Sequence, residues 1–227
     1  MCKYLVCAHR EWGQRVFRRL DTCYYDGTLI TRREELTPEY VQSLKPDLIL
    51  FLDWSWLVSE DIWSKYQCVQ FHSAPLPEFR GGSPLQNQIE RGIKHTKLTA
   101  FKMDGGIDTG DILLQRELDL TGHLSDIFAR LEGLCFDMTT ELLAGRYTQT
   151  PQQGIGSYYP RRKPAQSELK LDELTLEQVY DRIRMLEDPY PNAFIRVGSK
   201  WLVFKTAEYQ AGKIAATVEL IEEPHES

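Results

Sequence analysis

Apolar and polar positions vary along the first two thirds of the chain in a way that predicts strands separated by helices. The short apolar run KYLVCA (residues 3–8) predicts a buried strand, and the following QRVFRRL has the spacing of a helix. Thr37 fits the start of a second helix that Pro46 ends, and DLILFL then predicts another buried strand. Strand and helix therefore alternate, as they do in α/β proteins.

The alternation continues into the middle of the chain. CVQF predicts a strand that ends at His72, and KLTAFKM and DILLQRELDL predict two more strands around a turn-rich loop. LSDIFARLEGLCFDMTTELLAG then has the periodicity of a long amphipathic helix. We expect an α/β fold with an open, mainly parallel, Rossmann-like sheet, whose binding sites lie where strands end in loops.

The pattern changes towards the C-terminus. RYTQTPQQGIGSYYPRRKPAQSE is a connection rich in Pro, Gly and Gln that carries a basic cluster, and TLEQVYDRIRML predicts a helix. The closing SKWLVFKTAEYQAGKIAATVELIEE alternates apolar and polar residues, as paired antiparallel strands do. The sequence therefore predicts a catalytic α/β domain over residues 1–147 and a C-terminal subdomain over residues 148–227.

Composition narrows the functional classes. The 227 residues carry a formal net charge of -6, which argues against a nucleic-acid partner because duplex binding depends on Lys and Arg at phosphates. The five cysteines are scattered without metal-ligand spacing, so we expect reduced thiols and no metal site. Apolar runs fall short of the roughly 20 residues of a membrane span. The sequence thus predicts a soluble cytoplasmic protein with no membrane partner.

Candidate chemistry centres on His72, which ends an apolar strand and enters a loop rich in Pro and Gly. A lone histidine at a strand end is more often structural than catalytic. Asp108 lies in a second loop between strands, and a carboxylate beside an imidazole fixes its tautomer. Gln70 shares the strand face of His72, where its amide could donate to an oxyanion or simply satisfy a backbone group.

The stretches FHSAPLPEFRGGSP and KMDGGIDTGDIL resemble the formyltransferase family that uses 10-formyltetrahydrofolate. The spacing of His72 and Asp108 matches that family. The tail segments YYPRRKP and IRMLEDPYPNAF are similar to those of the sugar N-formyltransferases and of the related methionyl-tRNA enzymes. The resemblance covers roughly residues 45 to 200. It implies a formyltransferase fold and 10-formyltetrahydrofolate as the formyl donor.

The resemblance also implies roles for particular residues. His72 and Asp108 take the places of the catalytic histidine and aspartate, and Gln70 stands where asparagine is usual. Binding of the formyl donor is expected at Trp54, Ser55, Trp56, Met103, Asp104, Gly105 and Asp108, although core packing would equally explain the two tryptophans. Acceptor binding is expected at Ser73, Arg80, Gly82 and Tyr158.

The expected acceptor is the primary amine of a nucleotide-linked amino sugar, in the biosynthesis of a cell-surface polysaccharide. Three features favour it over a tRNA: similarity to sugar N-formyltransferases around RGGSPLQNQIERG, a short chain before His72, and the acidic net charge. The alternatives are another amine acceptor, such as glycinamide ribonucleotide or an aminoacyl group, and a catalytically weakened relative that binds folate or a sugar nucleotide. A different α/β enzyme with a chance motif, and a homodimer formed through the C-terminal strands, also stay open.

Overall fold

The computed structural model describes residues 2–24 and 26–224. Within these residues the helices are α1 Glu11–Asp21, α2 Pro38–Leu44, α3 Glu60–Trp63, α4 Pro84–Ile89, α5 Leu124–Leu143 and α6 Leu176–Arg184. The strands are β1 Tyr4–Cys7, β2 Gly27–Ile30, β3 Leu48–Phe51, β4 Cys68–His72, β5 Arg80–Gly81, β6 His95–Lys102, β7 Ile112–Asp119, β8 Tyr158–Tyr159, β9 Ala193–Val197, β10 Lys200–Gln210 and β11 Lys213–Glu222. Short 3₁₀ helices occupy Arg33–Glu35, Pro164–Ser167 and Leu171–Glu173.

The chain divides into two compact units. The first unit contains Met1–Gly81, Thr96–Asp119 and Phe128–Tyr158, and the second contains Gly82–His95, Leu120–Ile127 and Tyr159–Ser227. Each unit thus takes its residues from several stretches of the chain. The domain boundary near residue 147 stays a prediction.

A sheet with the strand order β2-β1-β3-β4-β6-β7 forms the centre of the first unit. The pairs β1/β2, β1/β3 and β3/β4 are parallel, and β6 runs antiparallel to β4. Strands β1 and β3 are buried along their whole length, which explains their unbroken apolar sequences. This arrangement confirms the predicted α/β fold, and it brings the carboxyl ends of β1, β3 and β4 to one edge of the sheet.

Helix α1 shows how the apolar spacing fixes packing in the first unit. Trp12, Val16 and Leu20 recur every four residues along α1 and are buried, whereas the residues between them are mostly exposed or half-buried. Strand β2 and helix α3 were not predicted from the sequence. Strand β2 is fully buried only at Ile30 and helix α3 only at Ile62, so neither carries the run or period of apolar residues that marks β1 and β3.

The second unit contains the antiparallel sheet β11-β10-β9, which confirms the pairing predicted for the C-terminal residues. Helix α6 of this unit begins at a reciprocal cap, in which the Thr175 hydroxyl accepts from the Gln178 backbone and the Gln178 side chain accepts from the Thr175 backbone. Among the helices that the structure describes, none has the length and apolar character needed to cross a membrane.

Candidate active site

His72 is the last residue of β4, and its side chain is only 5% exposed. Its Nε2 lies 2.7 Å from the carbonyl oxygen of Phe79, so this nitrogen carries the ring hydrogen and donates a hydrogen bond to the carbonyl. Its Nδ1 faces Oδ2 of Asp108 at 3.6 Å. The strand therefore holds a buried imidazole with one ring nitrogen directed at a carboxylate.

Asp108 lies in the loop between β6 and β7 and adopts a left-handed backbone conformation with φ of 54°. Its Oδ2 accepts a hydrogen bond of 2.8 Å from the backbone N–H of Gly81, and its carbonyl oxygen accepts one of 3.1 Å from Nε of Arg80. A left-handed conformation is unfavourable for most residues and persists where surrounding contacts determine it. These hydrogen bonds fix both the backbone and the carboxylate of Asp108.

Gln152 also holds the Asp108 loop in place, and this role was not predicted. Its Nε2 donates to the carbonyl oxygens of Asp108 at 2.9 Å and of Gly110 at 2.8 Å. Its Oε1 accepts from Nη2 of Arg80 at 2.7 Å. The signal in the sequence was weak, because Gln152 belongs to a polar connection in which several glutamines look alike.

The turn after Asp108 has room for glycine alone at position 110. A Cβ atom added to Gly110 would lie 1.7 Å from the carbonyl oxygen of Lys102 at the end of β6. The backbone N–H of Lys102 in turn donates to the carbonyl of Asp111 at 2.9 Å. The glycine in the GIDTGD stretch therefore lets the loop close against its strand and sets where Asp108 lies.

Gln70 lies two residues before His72 on β4, which places both side chains on the same face of the strand. Its Nε2 donates a hydrogen bond of 3.2 Å to the carbonyl oxygen of Trp54. A carboxamide nitrogen carries two hydrogens, so a second donor remains after this bond is made. The Trp54 carbonyl thereby orients the amide on the strand face that Gln70 shares with His72.

The residues expected to bind the formyl donor fall into two loops of the first unit. Trp54 is buried in the hydrophobic core cluster, Trp56 and Met103 pack against that cluster while half-buried, and Ser55 is exposed. The rings of Trp54 and Trp56 meet edge to face, with centroids 4.8 Å apart. The core location of Trp54 agrees with the packing interpretation, whereas Trp56 keeps part of its ring exposed.

The second of these loops follows β6 and is closed by its own hydrogen bonds. Oδ1 of Asp104 accepts from the Gly106 backbone at 3.0 Å and from the Thr109 hydroxyl at 2.6 Å. A Cβ atom at Gly105 would meet the ring of Trp63 at an ordinary 3.5 Å. Asp104 and Gly105 thus shape the loop that carries Asp108, and their role in donor binding stays a prediction.

The four residues expected to bind the acceptor lie in different surroundings. Ser73 follows His72 directly, Arg80 contacts the Asp108 loop, and Tyr158 is 59% exposed. Gly82 belongs to the second unit, where an added Cβ would lie 2.4 Å from Cα of Arg161. The structure brings Arg80 to the His72 and Asp108 pair, and acceptor binding by all four stays a prediction.

The buried cysteines are unsuited to act as nucleophiles. Burial raises the pKa of the Cys68 thiol to about 12, so this cysteine on β4 is protonated at neutral pH and is a poor nucleophile. Burial also raises the pKa of Cys7 and Cys135. Within residues 2–24 and 26–224, no group of three or more His, Cys, Asp or Glu side chains is arranged to hold a metal ion.

Comparisons with known proteins agree on one family. Residues 21–128 match the formyl transferase family, and residues 164–221 match the C-terminal domain of methionyl-tRNA formyltransferase. A solved structure of methionyl-tRNA formyltransferase from Clostridium thermocellum is 44% identical, with a TM-score of 0.94 over 98% of this chain and 100% of that chain. A 4-N formyltransferase from Francisella tularensis is 18% identical, with a TM-score of 0.68 over 98% of this chain and 99% of that chain, and shares the fold.

A curated relative is also a methionyl-tRNA formyltransferase. Methionyl-tRNA formyltransferase from Pelotomaculum thermopropionicum is 33% identical over 161 residues, which cover 67% of this chain and 51% of the relative. The chain thus spans about half the length of this relative and 60% of the next, from Campylobacter curvus.

These relatives overturn the expected acceptor. The nucleotide-linked amino sugar, the polysaccharide pathway and the absence of a nucleic-acid partner were wrong, because the relatives with 44% and 33% identity are methionyl-tRNA formyltransferases. The short chain was no argument against tRNA, since it covers all of the Clostridium chain. The net charge was not a valid argument against tRNA either, because it sums over the whole chain, whereas phosphate binding depends on local positive groups.

Proposed function

Because the chain belongs to the formyltransferase family, we propose that it transfers a formyl group from 10-formyltetrahydrofolate to the α-amino group of methionyl-tRNA. Family membership confirms the class of enzyme and the formyl donor that the sequence predicted. The observation that carries the acceptor is the 44% identity to a methionyl-tRNA formyltransferase over the full length of that chain. A cytoplasmic location accords with this acceptor.

The His72 and Asp108 pair supports a role in moving the amine proton. The neutral amine attacks the formyl carbon, forms a C–N bond and must then lose a proton while the folate nitrogen gains one as it leaves. The ring hydrogen of His72 lies on Nε2, so Nδ1 of His72 and Oδ2 of Asp108 face each other over 3.6 Å as two acceptors. A proton taken from the amine can be held between them and then passed to the folate nitrogen. We assign the proton transfer to this pair.

The amide of Gln70 supports stabilisation of the oxyanion on the formyl oxygen. It shares the strand face of His72, and its bond to the Trp54 carbonyl fixes its plane before the reaction begins. A donor that is already oriented needs no reorganisation when charge develops, which is the basis of its contribution to rate. The remaining amide hydrogen of Gln70 is the donor in this proposal.

The partly exposed ring of Trp56 supports a place for the flat pterin of the donor. Aromatic rings bind flat heteroaromatic groups through large, rigid contact areas. Trp56 contacts Trp54, whose carbonyl in turn orients Gln70, so a pterin bound at Trp56 lies close to the proposed oxyanion donor. We therefore place the donor beside the two tryptophans, on the side of the carboxyl ends of β3 and β4.

Local positive charge in the second unit supports a tRNA acceptor. Arg161 and Lys163 are exposed, while Arg162 between them forms an ion pair with Glu90. Exposed Lys and Arg side chains that contact phosphates supply much of the affinity for nucleic acids. This basic cluster is visible in the sequence, but the formal net charge of -6 over the whole chain conceals it.

A formylation assay tests the function directly. The protein is incubated with 10-formyltetrahydrofolate and methionyl-tRNA, and formylmethionine is measured by mass spectrometry after deacylation. A second aminoacyl-tRNA, free methionine and a nucleotide-linked amino sugar serve as competing acceptors, and the His72→Asn variant as the catalytic control. We expect formylmethionine from methionyl-tRNA with the wild type, and at least about a hundredfold less with His72→Asn. Formyl transfer to another acceptor, or none to methionyl-tRNA, would refute the proposal.

A further inference from the structure

A second cluster of polar side chains lies at the carboxyl ends of β1 and β3, and the proton transfer described above does not use it. His9 follows β1 and Asp53 follows β3. In the strand order β2-β1-β3-β4 the chain builds the sheet outward from β1 on one side and from β3 on the other, so the order reverses between these two parallel strands. In open α/β sheets such a switch point forms the crevice in which ligands bind. Neither residue was predicted as functional from the sequence.

Asp53 holds His9 in place. Nδ1 of His9 lies 3.3 Å from Oδ2 of Asp53 and also bonds to the Asp53 carbonyl oxygen. Nε of Arg10 lies 3.2 Å from the same Oδ2. Asp53 has a left-handed backbone conformation with φ of 56°, which indicates that its surroundings determine where it lies.

The ring of His9 meets the tryptophan pair. Its centroid lies 4.9 Å from that of Trp56 at an interplanar angle of 66°, and Trp56 meets Trp54 at 4.8 Å and 74°. The Trp54 carbonyl then accepts from Gln70. A continuous row of contacts therefore runs from Asp53 through His9 and the two tryptophans to the amide of Gln70.

We propose that His9 is a positioning residue for the formyl donor: Asp53 fixes the His9 ring, and that ring holds Trp56 against Trp54 in the orientation that receives the pterin. This inference rests on the proposed function, which places the donor at the tryptophans. Trp56 is only half-buried, so core packing restrains one part of its ring and His9 restrains another. Loss of the His9 ring frees Trp56 and raises the entropic cost of binding the donor.

Binding of tetrahydrofolate, measured by calorimetry, tests the inference without an acceptor. We expect His9→Ala to weaken binding about tenfold, the upper part of the range for one aromatic contact. In a Trp56→Ala background the same substitution should change the Kd by less than about twofold, because its effect passes through Trp56. His95→Ala, at an exposed histidine in another part of the chain, is the matched control and should bind as the wild type does. An equal loss in both backgrounds, or no loss in either, overturns the inference.

Two further variants separate the ring from its hydrogen bond. His9→Phe keeps a ring against Trp56, and His9→Asn keeps a donor for Asp53 without a ring. We expect Phe to recover most of the affinity lost in Ala and Asn to recover little; the reverse order would overturn the inference. In turnover, His9→Ala should raise the KM for the donor while kcat changes by less than about threefold. Failure of the proposed function looks different, because the wild type itself would then bind no tetrahydrofolate or formylate no methionyl-tRNA.

Discussion

Replacing Gln152 tests whether the position of the Asp108 loop limits catalysis. Gln152→Ala removes three hydrogen bonds of 2.7 to 2.9 Å, to the carbonyls of Asp108 and Gly110 and from Nη2 of Arg80. It also removes a longer one of 3.2 Å from Nε of Arg80, which shares its hydrogen with the Asp108 carbonyl. A net contribution of about 1 kcal/mol for each bond gives a local loss of about 2 to 3 kcal/mol. The carbonyl of Asp108 keeps only its bond from Arg80 in this variant, and Arg80 itself has lost a partner.

The loss should appear mainly in turnover. A displacement of about 1 Å in a group that takes part in the reaction can cost about a hundredfold in rate, so we expect kcat to fall between about tenfold and a hundredfold. The KM values should change less, because we place the donor beside Trp54 and Trp56, whereas Gln152 hydrogen bonds to Asp108, Gly110 and Arg80. Single-turnover formylation of methionyl-tRNA measures the effect, and urea unfolding shows how much stability is lost.

Two variants make the test specific. Gln153→Ala changes the neighbouring, exposed glutamine and should leave turnover unchanged. Gln152→Glu keeps an acceptor for Arg80 but places a carboxylate against two carbonyl oxygens, so it should be at least as slow as Gln152→Ala. Wild-type turnover in a folded Gln152→Ala protein would show that the hydrogen bonds of Gln152 do not set the position of Asp108 during catalysis.

Substitutions at three other positions test separate parts of the structure. Gln70→Ala should cost about 2.7 to 4 kcal/mol of transition-state stabilisation and Gln70→Asn less, measured as kcat/KM, whereas wild-type rates in both would exclude an oxyanion role. Gly133→Ala lies in the interior of α5 with nothing within 4 Å of the new Cβ, so it should raise the unfolding free energy by about 1 kcal/mol in urea. His123 hydrogen bonds to Glu187 and Glu208, which raises its pKa above the ordinary 6.5 against the opposing effect of burial. Its contribution is therefore complete below about pH 6.5 and is lost as pH rises through the raised pKa, so the urea midpoint should fall less over this range in His123→Asn, and equal slopes would contradict the assignment.

The sequence by itself determined the main elements and the class of chemistry. Buried parallel strands need unbroken apolar runs, and helices need a recurring apolar face, so β1, β3, β4 and α1 could be predicted from local patterns. The positions of His72 and Asp108 in strand-end loops could be predicted as well, because the Pro- and Gly-rich stretches around them mark loops. The elements β2 and α3 could not, since each buries a single side chain completely and therefore shows no apolar run or period.

Only the tertiary structure decided which distant side chains meet. Gln152 reaches Asp108 across 44 positions of sequence, and His9 reaches Asp53 across another 44. No local pattern records such pairs, because they result from which strands become neighbours and from where each connecting loop turns. Net charge failed to predict the acceptor for a related reason: it counts charges without their places, whereas a polyanion responds to the few positive groups that lie close to its phosphates.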